Sequence, residues 1–527
     1  MNPALEVWPE SLCHSEESVL PGRMLHSVQH DKGGLPAAPA AAPAGKCELP
    51  PYAPGIPVLG NGLGLATDPA SHVLHAYQQL GSVFRVRFPG KEFIILAGPE
   101  ATQFFAQNDE TYFGTREHYH KYIDELGTDR FPLAATGAEH SAMRKMLHLL
   151  FTREAISPYI PDLLDVVDRD VASWQPGRDI GLVETVSRLV LEQMGLLTAN
   201  FPVGDYGPAV KVFGHTLVSA GAALRPGVMF KFPAYRAAKS KFEHFLFERL
   251  ELRKTQPDVA GRRPDMIDRL LRASGPDGQP LSERELFAAA HMPYVNGYMY
   301  ITRAAGFMLY ELLSHPAVLA RVIDEIDSAL AHGIPDAMTL KRMVLTRGSI
   351  LETLRLHPSA VMTPRYIKRD FEFGGYHIPA GRWAFIATTV AHFLPEFYPE
   401  PFEFDPTRCS EPRNEYQKPG AYAPFGVGPH ACMSIGLVET VMATTIAGIL
   451  RRMRLGLIPG RRLRSVVKPV PGPDPHFTLR VLGRREPPAE ANPLRHLDEE
   501  LSMILPGLSE QQLQLVESKL ERPSYEP

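Results

Sequence analysis

Residues 424–436 read PFGVGPHACMSIG, and they run straight into IGLVETVMATTIAGILRRMR (435–454), an apolar segment with helical periodicity and a basic end. This junction constrains the fold more than any other part of the chain. A thiolate that serves as a metal ligand needs positive surroundings, close backbone approach and a rigid position. Gly426 and Gly428 let backbone come near without a Cβ. A helix beginning just after Cys432 sets its positive dipole end and free N–H groups beside the sulfur. Only Cys13, Cys47 and Cys409 accompany Cys432, and none is near enough to make a paired motif. A CxxC-type zinc site is therefore excluded, and haem iron is the cofactor that accepts a single axial thiolate. The bland alternative is a buried cysteine in a turn.

The chain has 527 residues, 44% hydrophobic and 22% charged, long enough for a large core. A net charge of −4 gives no case for nucleic acid. Four scattered cysteines make no disulfide framework, so a reducing, cytoplasmic location is expected. No run of eighteen apolar residues occurs, so no transmembrane segment is predicted, and a soluble protein with at most peripheral membrane contact is expected. The first residues carry acids where a secretory signal would need a basic region.

Residues 1–47, ending in GGLPAAPAAAPAGK, read as a disordered Ala/Pro-rich leader. SVFRVRF (82–88) and KEFIILAG (91–98) flank a Pro-Gly turn and predict a β-hairpin. Helical periodicity dominates from about Pro99. One long helix is predicted from Ser282, with Glu285 completing a capping box, to SHP (314–316), kinked at Pro293. A second is predicted over LKRMVLTRGSILETLRLHP (340–358), and short strands within 366–388. Residues 485–527 offer two short amphipathic segments parted by Pro506-Gly507. They read as a helical extension, either packed on the chain's own body or docking a partner. The expected fold class is mainly α with a small β portion.

The loop motif resembles that of the cytochrome P-450 haem-thiolate enzymes: Phe425, Gly426, Gly428, His430 and Cys432 stand at the matching positions. Ser434 replaces the last glycine of the pattern, which implies altered packing of helix against porphyrin. The same resemblance covers roughly 48–484. It implies the cytochrome P-450 fold and haem b (iron protoporphyrin IX) as cofactor. ETLR and FDPTRC supply Glu352, Arg355 and Arg408, which the resemblance joins into a buried charge network holding the loop. Haem propionates need cations, and by resemblance these are His140, Arg144, Arg365 and His430.

The resemblance also places the long helix across the distal face, where the family carries an acid and a threonine that relay protons. Anchored on Gly297, the series Asn296, Gly297, Tyr298, Met299, Tyr300 puts Met299 in place of the acid and Tyr300 in place of the alcohol. Three readings stay open: a monooxygenase whose protons come from water or substrate; a peroxide-dependent peroxygenase or an isomerase; and a non-catalytic haem-binding scaffold or sensor. The implied substrate is a lipophilic small molecule. Its contacts are expected from 111–131, Tyr298, Tyr300 and SAVMT (359–363). His118 and His120 lack a third placed ligand for a metal. With no GxGxxG unit or cluster-type cysteine set, electrons are expected from a separate ferredoxin or flavoprotein. The basic stretch 451–464 either faces such a donor or is a solvated surface.

Overall fold

The computed structural model describes residues 48–221, 226–256, 262–331 and 335–486. The leader expected at 1–47 and the tail beyond Glu486 lie outside the described residues. Within them the chain is mostly helical, with small sheets.

Strands β1 (Val83–Phe88) and β2 (Lys91–Ala97) form the expected hairpin, pairing antiparallel from Val83↔Leu96 to Phe88↔Lys91. VFRVRF alternates, and Phe84 and Val86 are buried while Arg87 stays out. Gly90 closes the turn at φ +72°, a conformation that only glycine adopts readily. Helix α1 (Gly98–Tyr112) leads to the short β3 (Phe113–Gly114), and later come β4 (Thr363–Ile367) and β5 (Trp383–Ala387). The five strands lie in the order β1-β2-β5-β4-β3. Of the four pairings only β2–β5 is parallel.

The helical body is built from α2 (Gly137–His148), α3 (Leu182–Ala199), α4 (Glu283–Ala290), α5 (Tyr298–Ser314), α6 (Val344–Leu356) and α7 (Ile435–Arg452), with others around them. Helix α5 runs through the middle and touches α3, α6 and α7. Its buried Ile301, Ala305, Met308 and Leu312 recur at helical spacing. Helix α7 is buried without a break from Leu437 to Leu450, which explains a sequence apolar all round.

Two expected helices are each divided. Ser282 and Glu285 cap α4 reciprocally, as the sequence implies. Pro293 cannot donate to the helical ladder, and the chain absorbs the missing bond in a π-turn, Pro293–Gly297, before α5 begins. There the Tyr298 N–H donates to the Pro293 carbonyl, five residues back. The segment 340–358 breaks at Met343. The Glu325 carboxylate accepts from the Leu345 and Thr346 amides at 2.6 and 2.7 Å and so starts α6 afresh. Helix α7 begins at Ile435, three residues after Cys432, because the cysteine itself closes a turn with its N–H on the Phe425 carbonyl at 2.9 Å.

Among the described residues, no helix is long and apolar enough to cross a membrane.

Candidate functional site

A cavity of about 310 Å³ lies between α5 and the cysteine loop. Cys432 and Phe425 line one side; Asn296, Gly297, Tyr300, Ile301 and Ala304 of the central helix line the other. His140, Arg144 and His430 close one end.

The loop takes its shape from Gly426 and Gly428, at φ +72° and +76°. A Cβ on Gly428 would sit 3.4 Å from the backbone of Ala106 in α1, so the loop packs directly on that helix. Arg144 Nη1 donates to the Ala431 carbonyl at 2.5 Å, tying α2 to the residue before the cysteine. Burial lowers the Arg144 pKa, and the nearby Cys432 sulfur works in the opposite direction.

A buried network holds the entrance to this loop. Arg355 donates to both oxygens of Glu352, at 2.8 and 2.7 Å, and to the carbonyls of His392 and Pro401, both at 2.6 Å. Arg408 Nε lies 3.2 Å from Glu352, and its other nitrogens reach Glu415 and the Glu400 carbonyl. Sequence reasoning had no means of finding His392. Its Nδ1 bonds the Arg355 carbonyl at 3.1 Å, and its Nε2 accepts from the Ala423 N–H at 3.0 Å. That pattern needs a neutral ring, and burial, aided by the Arg355 charge, pushes its pKa down to about 3. The network is thus wired through one imidazole to the residue preceding Pro424.

The cations at the end of the cavity are arranged differently from expectation. Arg365, on β4, does not line the cavity. Its Nε bonds Asp109 at 3.1 Å, and its guanidinium lies over the Phe105 ring. His430 Nδ1 bonds the other oxygen of Asp109 at 3.0 Å, and its Nε2 faces the Ala135 carbonyl at 3.3 Å. Both partners are hydrogen-bond acceptors. Burial pushes the Asp109 pKa up, but the bond from His430 and the charge of Arg365 prevail and hold it below its usual value. Asp109, on α1, is a site residue absent from the sequence reading. His140 stacks on His430 with centroids 4.0 Å apart; burial, then the His430 charge, takes its pKa down to about 4.

Replacing Asp109 by alanine strands the buried Arg365 guanidinium and leaves His430 Nδ1 without its partner. Removing one partner of a buried pair costs about 3–5 kcal/mol. The lower end is expected here, because Arg365 keeps its bond to the Pro364 carbonyl. The measurement is the denaturant midpoint, with Asp109→Asn falling between the two. Because the Asp109 pKa is depressed on folding, its contribution is complete above about pH 4 and is lost as the pH falls through the folded-state value.

On the distal side, Tyr300 lines the cavity and Met299 does not; Met299 is buried and its carbonyl accepts from Arg303 Nη1 at 2.9 Å. Tyr298 also leaves the cavity, its hydroxyl 3.0 Å from Ser187 Oγ on α3. Burial, with Tyr119 adding, pushes the Tyr300 phenol up to about 12. From the expected substrate segments, Tyr119, Tyr122, Ser359 and Ala360 reach the cavity, whereas Val361, Met362 and Thr363 do not. Among the described residues, no carboxylate lines the cavity and no group of three His, Cys, Asp or Glu is placed to hold a metal.

A profile of the Cytochrome P450 family matches residues 50–472. The chain belongs to the cytochrome P450 family. It is therefore a cytochrome P450-type oxidoreductase, and the family implies a haem cofactor. Cyclooctat-9-en-7-ol 5-monooxygenase of Streptomyces melanosporofaciens is 28% identical over 446 residues, covering 82% of this chain and 95% of that protein. Two solved P450 structures share the fold at 23% identity and 84% coverage of this chain. They are the cytochrome P450DA heme domain (TM-score 0.74, 99% of its chain) and retinoic acid bound cyanobacterial CYP120A1 (TM-score 0.71, 100%). The cavity of this P450 fits a haem on its own chemistry. It offers one thiol, apolar walls at Ile301, Leu354 and Leu437, and a buried His140 Nδ1 without a hydrogen-bond partner at the cationic end.

Proposed function

We propose that this P450 is a monooxygenase of a lipophilic small molecule, holding haem b through Cys432 and drawing electrons from a separate ferredoxin or flavoprotein. The observation that carries this reading is one cavity that brings Cys432, Phe425, His140, Arg144 and His430 together with Tyr300 and Ala304. When bound, the haem supplies one-electron and dioxygen chemistry at a sulfur-ligated iron.

The chain's own residues would divide the remaining work. Cys432 would be the axial ligand, held by the turn to Phe425 and by Arg144 on Ala431. His140, through its unpartnered Nδ1, and Arg144 would take the propionates, with His430 and Arg365 contributing through Asp109. Glu352, Arg355 and Arg408 would fix the loop entrance. Tyr119, Tyr122 and Tyr300 would orient the substrate and exclude water. The relative named as an alcohol monooxygenase and the neighbour described as retinoic acid bound support a lipophilic substrate. A cytoplasmic location belongs to the same proposal, supported by the unpaired Cys409 and Cys432.

A second reading, turnover with peroxide or rearrangement of an oxygenated substrate, is favoured by the cavity's lack of a carboxylate to relay protons. The test is a spectral-shift screen of lipophilic compounds. Binders are then incubated either with dioxygen and a ferredoxin–reductase pair or with hydrogen peroxide. Oxygenated product only in the first arm is expected. Product only with peroxide, or conversion without any oxidant, would overturn the monooxygenase reading.

A further inference from the structure

We propose that the Ser434 hydroxyl donates a hydrogen bond to the Cys432 sulfur, positioning that ligand and drawing electron density from it. The inference rests on the reading of Cys432 as the axial ligand.

Ser434 Oγ lies 3.2 Å from Cys432 Sγ. An ionised sulfur has only lone pairs to offer, so the hydroxyl is the donor. Ser434 is also the N-cap of α7, since its carbonyl accepts the Val438 N–H at 3.0 Å. A serine there ordinarily turns its hydroxyl onto a backbone N–H two or three residues on. Ser282 does so at the start of α4, with extended backbone at φ −64°, ψ 163°. Ser434 makes no such bond: its backbone sits at φ −106°, ψ 28°, and the hydroxyl turns back to the sulfur instead.

The separation is held from outside the loop as well. A Cβ on Gly436 would stand 3.0 Å from the Phe151 carbonyl, so the first turn of α7 is pressed against that segment. The Cys432 N–H is already committed to Phe425. The hydroxyl is therefore a side-chain donor to sulfur that a glycine at 434 would not supply.

A charge-assisted hydrogen bond strengthens as its acceptor gains electron density. Reduction of the bound iron enriches the sulfur, so the Ser434 bond favours the reduced form. Ser434 is a positioning residue: it touches the ligand and acts through it.

The test compares the haem-loaded wild type with Ser434→Ala, Ser434→Gly and Ser434→Thr by potentiometric titration and by the iron–sulfur stretching frequency. Alanine and glycine are expected to shift the one-electron equilibrium about tenfold toward the oxidised form, a fall of about 59 mV. Both should raise the stretching frequency, and threonine, which keeps the hydroxyl, should restore both values. The glycine variant serves if alanine fails to load haem. Unchanged potential and frequency in the hydroxyl-free variants, with the thiolate carbon monoxide band retained, would overturn the proposal. A wild type that lacks that band removes the Cys432 reading first, and this inference with it.

Discussion

Glu352→Ala is expected to cost about 5 kcal/mol, at the top of the range for breaking a buried ion pair. Glu352 and Arg355 are each 1% exposed and Arg408 is 2% exposed. Glu352 also accepts the Asp405 N–H at 3.1 Å, so its loss leaves that donor, two Arg355 N–H groups and the charge of Arg408 unmatched. Neither guanidinium can shed its proton, and Glu352 faces two of them where Asp109 faces one, which is why the larger penalty falls here. Against a typical domain stability of about 5–15 kcal/mol, that loss takes a third or more.

The consequence reaches the site through His392, whose tautomer joins the Arg355 carbonyl to the Ala423 N–H. The variant should therefore show a lower denaturant midpoint and weakened haem retention together. Glu352→Gln keeps the shape but aims an amide N–H at arginine, and should fall between. A midpoint equal to wild type would remove the network from this account.

Apart from residues that the family resemblance supplied, such as Arg408 and Arg144, the parts of the site legible in the sequence are those whose partners lie close along the chain. Cys432, Gly426 and Gly428 sit within one turn, and Glu352 and Arg355 are three apart on a helix. Asp109 was invisible because its partner His430 is 321 residues away. No local pattern distinguishes such an aspartate from a solvated one. His392 escaped for the same reason, meeting Arg355 across 37 residues.

Of the distal series, Asn296, Gly297 and Tyr300 line the cavity, whereas Tyr298 and Met299 do not. Residues Gly297, Tyr300, Ile301 and Ala304 follow i, i+3, i+4, i+7 and form the cavity wall. Tyr298 is one residue, about 100°, round from Gly297, and so meets Ser187 instead. The π-turn at Pro293–Gly297 sets that phase, and periodicity alone does not foresee an inserted turn. The break at Met343 has a similar origin, because the capping Glu325 comes from another helix.

Cys432→Ala carries the second large effect, and it is spectroscopic. Among the described residues, Cys432 carries the one thiol that lines the cavity. Alanine removes it while leaving the turn to Phe425, the Arg144 bond to Ala431 and the cationic end in place. The fold should survive, since Cys432 is only partly buried. What should vanish is the electronic signature of sulfur on iron.

The direct measurement is the absorption spectrum of the reduced, carbon monoxide-bound protein. Wild type should show the red-shifted Soret band of a thiolate-ligated haem, and Cys432→Ala should lose it completely while keeping a folded circular dichroism spectrum. A red-shifted band that persists in Cys432→Ala, or one absent from wild type loaded with haem, would contradict the assignment of Cys432.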